Sequence, residues 1–184
     1  MPVDTKKKLN IGCGNYTMED AVNLDMIASD KVDVVHDIEK MPYPFEDGRF
    51  EAIYAYHILE HTINFQAVMR ELQRILAAGG KLIVRVPHFS SNMAFVERHT
   101  RFFRYRSFEP ICIDRRDAEQ EDLYRFEIVR RKITFMKKPV IPFFYNSIAE
   151  WIFNKWKFPL VYEKTFLRNL FPAEEIYFEL QKPR

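Results

Sequence analysis

Apolar and polar positions in the first half of the chain come in short bursts separated by turn residues. Leu9-Asn10-Ile11 runs into Gly12-Cys13-Gly14, which predicts a strand over 8–11 entering a glycine turn. Val22-Asn23-Leu24-Asp25 predicts a second strand closed by an acid, and the β-branched stretch 32–36 a third, bounded by Asp37. A fourth strand is predicted over 50–56. Two prolines and a glycine within 41–48 predict a loop before it. Over 64–77 the period changes: Phe65, Val68, Met69, Leu72, Ile75 and Leu76 share one helical face, and Gly79-Gly80 is the expected stop. A fifth strand is predicted over 81–86, ended by Pro87. Residues 88–123 are polar, aromatic and irregular. A sixth strand is predicted over 126–135 and a seventh over 173–181, where Ile176, Phe178 and Leu180 alternate against Tyr177 and Glu179. Strands alternating with crossovers predict an α/β fold with a mainly parallel sheet.

Length and composition narrow the picture. A chain of 184 residues reads as one domain, and 47% apolar content with many Phe and Tyr can fill a core. A net charge of +2 argues against general nucleic-acid binding. The two cysteines, Cys13 and Cys112, form no CxxC and no disulfide framework, which points to a reducing compartment. The lysine-rich start lacks the apolar run of a signal peptide, and no segment reads as a bilayer span. The expected location is cytoplasmic.

The candidate chemistry collects at one place. In open α/β sheets ligands bind beyond the carboxyl ends of the strands. Gly12, Cys13 and Gly14 follow strand one, with Asn10 just inside it. Asp25 ends strand two, Asp37 follows strand three, Tyr56 and His57 end strand four, and His88 follows strand five. Glycines lack a Cβ, so backbone can approach a ligand and turn with positive φ. A carboxylate at the end of strand two can accept from two ribose hydroxyls, and one after strand three can accept from the amino group of a base.

These residues carry a resemblance. Lys8-Leu-Asn-Ile-Gly-Cys-Gly14, Asn23-Leu-Asp25 and Asp37-Ile-Glu-Lys-Met-Pro-Tyr-Pro-Phe-Glu-Asp47 resemble the class I, Rossmann-like methyltransferases, and within them the type 11 group. Tyr56-His-Ile-Leu-Glu-His61 and Leu76-Ala-Ala-Gly-Gly-Lys-Leu-Ile-Val84 continue the likeness, which covers about residues 6–90. The resemblance implies S-adenosyl-L-methionine as cofactor. It implies Gly12 and Gly14 at its methionine part, Asp25 on its ribose, and Asp37 with Ile38 around its adenine. The implied fold is a seven-stranded, mostly parallel sheet with a C-terminal antiparallel strand pair and helices on both faces. Residues 6–90 are then the cofactor half, 88–123 a lid over the acceptor, and 137–173 an aromatic insert between the last two strands.

Other readings were set against this one. A dinucleotide-binding oxidoreductase would place Gly or Ala at the third fingerprint position, where Thr17 stands, and an acid about 20 residues on rather than at Asp25. His57-Ile-Leu-Glu-His61 matches H-x-x-E-H, but a zinc site of that kind lies on a helix and takes a third ligand from elsewhere. Glu60 and His61 are therefore read as braces and no metal ligand is assigned. A cofactor-binding protein without catalysis also remains as an alternative. The candidate bases are His57 and His88, then His61 and His99, because histidine titrates near neutrality. The expected acceptor is a small molecule, a glycan or a lipid-linked metabolite. No Asn/Asp-Pro-Pro-Tyr/Phe follows strand four, which disfavours a nucleic-acid base. RNA stays the alternative because 98–106 interleaves arginines with aromatics. Within 144–158 a helix from 145 to 157 is predicted, with Ile148, Trp151, Ile152 and Lys155 on one side and Ala149, Phe153 and Trp156 extending its apolar surface. It is expected to wall the pocket, join a homodimer or meet a membrane surface.

Overall fold

The computed structural model describes residues 5–112, 125–135, 144–155 and 157–184. Seven strands form one sheet: β1 (Lys8–Ile11), β2 (Ala21–Asp25), β3 (Val34–Val35), β4 (Phe50–Tyr56), β5 (Leu76–Pro87), β6 (Glu127–Phe135) and β7 (Ala173–Gln181). Their order is β3-β2-β1-β4-β5-β7-β6. The first five pair in parallel, and β7 runs antiparallel to both β5 and β6. The mostly parallel sheet with its antiparallel end is the architecture expected.

Register explains which side chains build the core. Leu9 and Ile11 of β1, Ile53 and Ala55 of β4, Leu82, Val84 and Val86 of β5, and Ile176, Phe178 and Leu180 of β7 all belong to one buried cluster. Helix α1 (Phe65–Ile75) adds Val68, Met69, Leu72 and Ile75. Fully burying each such side chain contributes about 1.5–3 kcal/mol. Asn64 caps the helix, its Oδ1 accepting from the Ala67 N–H at 3.2 Å. At the other end the Lys182 ammonium donates to the Gln73 and Leu76 carbonyls, which the helix leaves unpaired. Arg74 and Glu71 of α1 clamp the 41–48 loop. Arg74 donates to the Tyr43 and Phe45 carbonyls, and Glu71 accepts the Tyr43 N–H.

Positions of the other parity differ. Tyr56, Arg85, Tyr177 and Lys132 form a row across β4, β5, β7 and β6, and none is fully buried. No α-helix precedes Phe65 among the described residues, so the expected helix layers are unevenly filled. This half of the sheet shows a polar, aromatic face.

Three elements depart from the pattern-based expectation. Strand three shrinks to Val34–Val35 because Asp33 is diverted: its carboxylate accepts from the Asn23 N–H and pairs with Lys6. A short edge strand of this kind also limits pairing with other chains. The helix expected to 77 ends at Ile75, since Leu76 pairs with Phe50 and begins β5. Gly79-Gly80 thus sits inside a long bent strand, where the Gly79 N–H donates to the Lys182 carbonyl. The helix expected over 145–157 is α2 (Phe144–Phe153), followed by the unanticipated α3 (Phe158–Lys164) and α4 (Leu167–Leu170). Asn154 closes α2 by turning to the edge of the sheet, accepting from the Ile133 N–H and donating to its carbonyl, both at 2.7 Å.

The insert builds a second small core from Ile133, Phe135, Ala149, Phe153, Tyr162 and Ala173. Ile148 and Trp151, expected on a common side of the helix, face outward; Trp151 is 64% exposed under the Lys155 ammonium. Trp156 and residues 137–143 lie outside the described residues. So do residues 113–123 of the expected lid. Its first part packs down firmly: Phe103 and Phe108 enter the main core, and Phe103 bridges to His88.

Candidate active site

Strand order reverses at the β1–β4 pair, the place in an open α/β sheet where departing loops diverge and ligands bind. The first wall is the glycine turn. The Gly12 and Cys13 N–H groups both donate to the Leu24 carbonyl, at 2.8 and 3.1 Å, folding the chain toward β2. Gly12 and Gly14 have φ of +65° and +48°. A Cβ on Gly12 would stand 2.5 Å from Ile58 Cγ1, whereas one on Gly14 would meet no heavy atom within 4 Å. Packing therefore demands the first glycine, and the second borders open space.

Asp25 holds the turn. Its Oδ2 accepts the Gly14 N–H at 2.8 Å and its Oδ1 the Ile27 N–H at 3.0 Å. Each oxygen keeps further acceptor capacity for a ribose hydroxyl. Asn10 is buried and donates to the Tyr16 carbonyl and to Asn23 Oδ1, at 2.7 and 3.1 Å, so it braces the loop from behind. Cys13 is buried too, and burial raises its thiol pKa, which keeps it an unreactive wall residue. Asp37 Oδ1 accepts the Glu39 N–H at 3.0 Å. Ile38 packs against the core and its carbonyl accepts the Tyr43 hydroxyl at 2.9 Å. These residues fit the implied cofactor: acceptors at two strand ends, an apolar side chain beside one of them, and a glycine bordering vacant space.

The opposite wall is β4. Tyr56 lies 4.8 Å under the Arg85 guanidinium. His57 has a positive φ of 52°, unusual for a side chain with a Cβ and costing about 1–2 kcal/mol. The fold compensates with a bond from its N–H to the Arg85 carbonyl at 2.9 Å. Its Nε2 lies 3.8 Å from Glu175 Oε2 and its Nδ1 3.4 Å from Glu60 Oε1. These carboxylates, Glu175 first, push its pKa up to about 9, so the imidazolium predominates at neutral pH.

His88 is a different kind of residue. It is fully buried, its Nε2 donating to Glu163 at 3.1 Å and its Nδ1 accepting the Ser90 N–H at 3.1 Å. That arrangement is a neutral imidazole, and burial lowers its pKa. The network continues to Tyr162, whose hydroxyl accepts the Ala173 N–H and donates to the Phe171 carbonyl. His88 ties the insert to the end of β5. His61 Nδ1 lies 3.2 Å from the Arg98 carbonyl, and its ring meets that of His99 edge-on. The four candidate bases therefore fall at three separate places.

A cavity of about 530 Å³ opens on the polar sheet face, lined in part by Arg85, Arg130, Lys132, Glu174, Glu175 and Tyr177. Glu175 thus connects this cavity to His57. Sequence reading missed Glu175, Glu163 and the cavity. Each depends on β7 or the insert folding back beside β5, and no local motif marks that.

Glycines and carboxylates at successive strand ends beside the switch point are the arrangement that Rossmann-like folds use for nucleoside-containing ligands. Residues 16–84 match the family described as "Methyltransferase domain". A 61-residue stretch is 44% identical to the sterol 4-C-methyltransferase strm-1 of Caenorhabditis elegans, covering 33% of this chain and 18% of that protein. The chain thus matches less than a fifth of the length of this curated relative. Among solved structures, a SAM-dependent methyltransferase from Archaeoglobus fulgidus superposes with a TM-score of 0.60 at 12% identity, over 98% of this chain and 88% of its own. The 1,6-didemethyltoxoflavin-N1-methyltransferase of Burkholderia thailandensis, solved with S-adenosylhomocysteine, gives 0.54 at 12% identity, over 96% and 71%. Over residues 16–84 the chain is thus similar to the methyltransferase family, and its fold is that of the Rossmann-like, S-adenosylmethionine-dependent methyltransferases.

Proposed function

We propose that this chain transfers a methyl group from S-adenosylmethionine to a small polar molecule, a glycan or a lipid-linked metabolite. The observation that carries the reading is the continuity of the site: the Gly14–Asp25 crevice lies across the β1–β4 switch point from His57, and His57 meets the cavity through Glu175. In this reading Gly12 and Gly14 admit the methionine part, Asp25 accepts from the ribose, and Asp37 with Ile38 borders the adenine. Asn10 and Cys13 hold the turn, and Tyr56 closes the floor. When bound, the cofactor supplies a methyl group already made electrophilic by its sulfonium. The protein's own work is to place the acceptor in line and to exclude water. His57 stands at the junction of crevice and cavity and lines the acceptor side. His88 keeps the wall in place.

Several features support the acceptor class. The cavity falls within the 300–1,000 Å³ typical of small-molecule sites. Its lining of three cations and three carboxylates, with Thr134 and Tyr177, suits a polar, hydroxylated acceptor. Trp151, Phe158, Phe166 and Leu170 are exposed on the insert, with Lys155 and Lys164 on the same segment, which favours a lipid surface as the source of the acceptor. The sterol-modifying relative is compatible with a lipid-like acceptor, although its match covers a third of this chain. RNA is disfavoured, because Arg101 is committed to the Thr62 and Ile63 carbonyls and Arg106 to Glu109.

Calorimetry with S-adenosylmethionine and S-adenosylhomocysteine tests the cofactor assignment. Asp25→Ala is expected to weaken binding by about 1–3 kcal/mol, the cost of hydrogen bonds lost from a charged group. Folded protein that binds neither compound, or an Asp25→Ala variant of unchanged affinity, refutes it. Tritiated-methyl transfer to fractionated lipid, glycan, RNA and metabolite pools then identifies the acceptor.

A further inference from the structure

Glu60 is the most anomalous polar residue among those described. It is 1% exposed, and neither carboxylate oxygen has a hydrogen-bond partner. Its one charged neighbour is His57, whose Nδ1 lies 3.4 Å from Oε1 in a contact that is not a formed hydrogen bond. The His57 imidazolium offsets part of the cost of burying this carboxylate, but both oxygens still lack a hydrogen-bond donor, and such a group gains from a further cation.

Two imidazoles converge on it. His61 follows Glu60 in a single 3-10 turn. His99 arrives from the segment after β5, and its Nδ1 is likewise buried without a partner. The approach is built in: the Thr100 N–H donates to the Glu60 carbonyl at 2.9 Å, and the Thr100 hydroxyl donates to the Thr62 carbonyl at 2.9 Å. Arg101 adds bonds to the Thr62 and Ile63 carbonyls. One ligand atom each from Glu60, His61 and His99 can be chosen so that all lie within 4.8 Å of one another.

We infer that Glu60, His61 and His99 form a binding site for a divalent first-row transition ion such as Zn²⁺. Two imidazole nitrogens and one carboxylate oxygen are a donor set that such ions take. Bonds of about 2.0–2.1 Å put tetrahedral ligands roughly 3.4 Å apart, so closure needs only inward rotamer shifts of about 1 Å. The His61 ring has one nitrogen committed and one without a hydrogen bond among the described residues. Nδ1–H donates to the Arg98 carbonyl at 3.2 Å, which leaves the Nε2 lone pair for the ion, the outer-shell arrangement usual for a metal-bound histidine. Three protein ligands leave a fourth position for water or an acceptor oxygen. The H-x-x-E-H string suggested a different set. His57 stands between Glu60 and Glu175 as a charged neighbour, and the third ligand that the string lacked comes from His99.

Metal binding is read directly, so the outcome is independent of methyl transfer. The full chain, stripped with chelator and dialysed, is titrated with Zn²⁺ by calorimetry and with Co²⁺ by its visible absorption. One ion per chain is expected, with a rise in melting temperature. His99→Asn and Glu60→Gln are each expected to weaken binding by at least about tenfold. Glu60→Gln serves also as the control for folding: it removes a buried charge at nearly constant shape, so the metal-free variant is expected to melt no lower than the metal-free parent. A folded parent that takes up no stoichiometric Zn²⁺ or Co²⁺, or folded variants that bind as tightly as the parent, overturns the inference.

Discussion

Replacing Gly12 and Gly14 one at a time by alanine separates the two demands on the glycine turn. Both residues are left-handed, so either Cβ costs about 1–2 kcal/mol in backbone strain. At Gly14 that is nearly the whole cost, since the new methyl meets nothing within 4 Å. At Gly12 the methyl would lie 2.5–2.9 Å from three carbons of Ile58, a contact that requires Ile58 or the turn to move. Overpacking of this kind adds about 1–3 kcal/mol. Gly12→Ala should therefore lose roughly 2–5 kcal/mol of stability, and Gly14→Ala about 1–2 kcal/mol. Urea unfolding with an unchanged m-value measures both. Cofactor affinity should show the reverse selectivity. The Gly14→Ala chain, folded at 25 °C, should bind S-adenosylmethionine at least about tenfold more weakly, one methyl clash being worth 1.4 kcal/mol or more. Equal destabilisation by the two substitutions would refute the packing argument. A stable Gly14→Ala protein with undiminished affinity would remove this glycine from the site.

Arg101 and Arg104 should part company although they are neighbours in one arginine-rich segment. Arg101→Ala, which loses bonds to two carbonyls and a stack on Phe65, should cost about 1–3 kcal/mol of stability. Arg104→Ala, exposed over Phe89, should leave unfolding within about 0.5 kcal/mol and act on acceptor turnover alone; equal unfolding midpoints for the two variants would contradict this. His88 sets a pH dependence. Its folded-state pKa lies below the unfolded value near 6.5, so the stabilising neutral form is fully favoured above about pH 6.5 and its contribution is lost as pH falls below that. Urea midpoints at pH 7.5 and 5.5 should fall less in His88→Gln than in the parent, and parallel losses would exclude the role. Trp151→Ala should weaken salt-sensitive co-sedimentation with anionic vesicles without lowering the melting temperature; indifference of the parent to vesicles leaves the exposed insert to a second copy of this chain.

What the sequence determined by itself is local. Short β-branched runs ending in glycine or acid fixed the parallel strands, because a strand's pattern and its turn chemistry are properties of adjacent residues. The same locality made the first half legible: Gly12, Gly14, Asp25 and Asp37 stand at strand ends in sequence, and the sheet sets β1, β2 and β3 side by side. Tertiary structure decided the rest, through contacts that no window of sequence contains. Leu76 is a good helix former in a helical pattern, yet pairing with Phe50 takes it into β5. His88 stands at a strand end, as a base would, but Glu163 from the insert and Ser90 lock it inside the wall. His57 looked free to accept a proton until β7 brought Glu175 beside it. His61 and His99 were separate candidates in the sequence, and only the bonds of Thr100 across to Glu60 and Thr62 bring them onto one buried carboxylate.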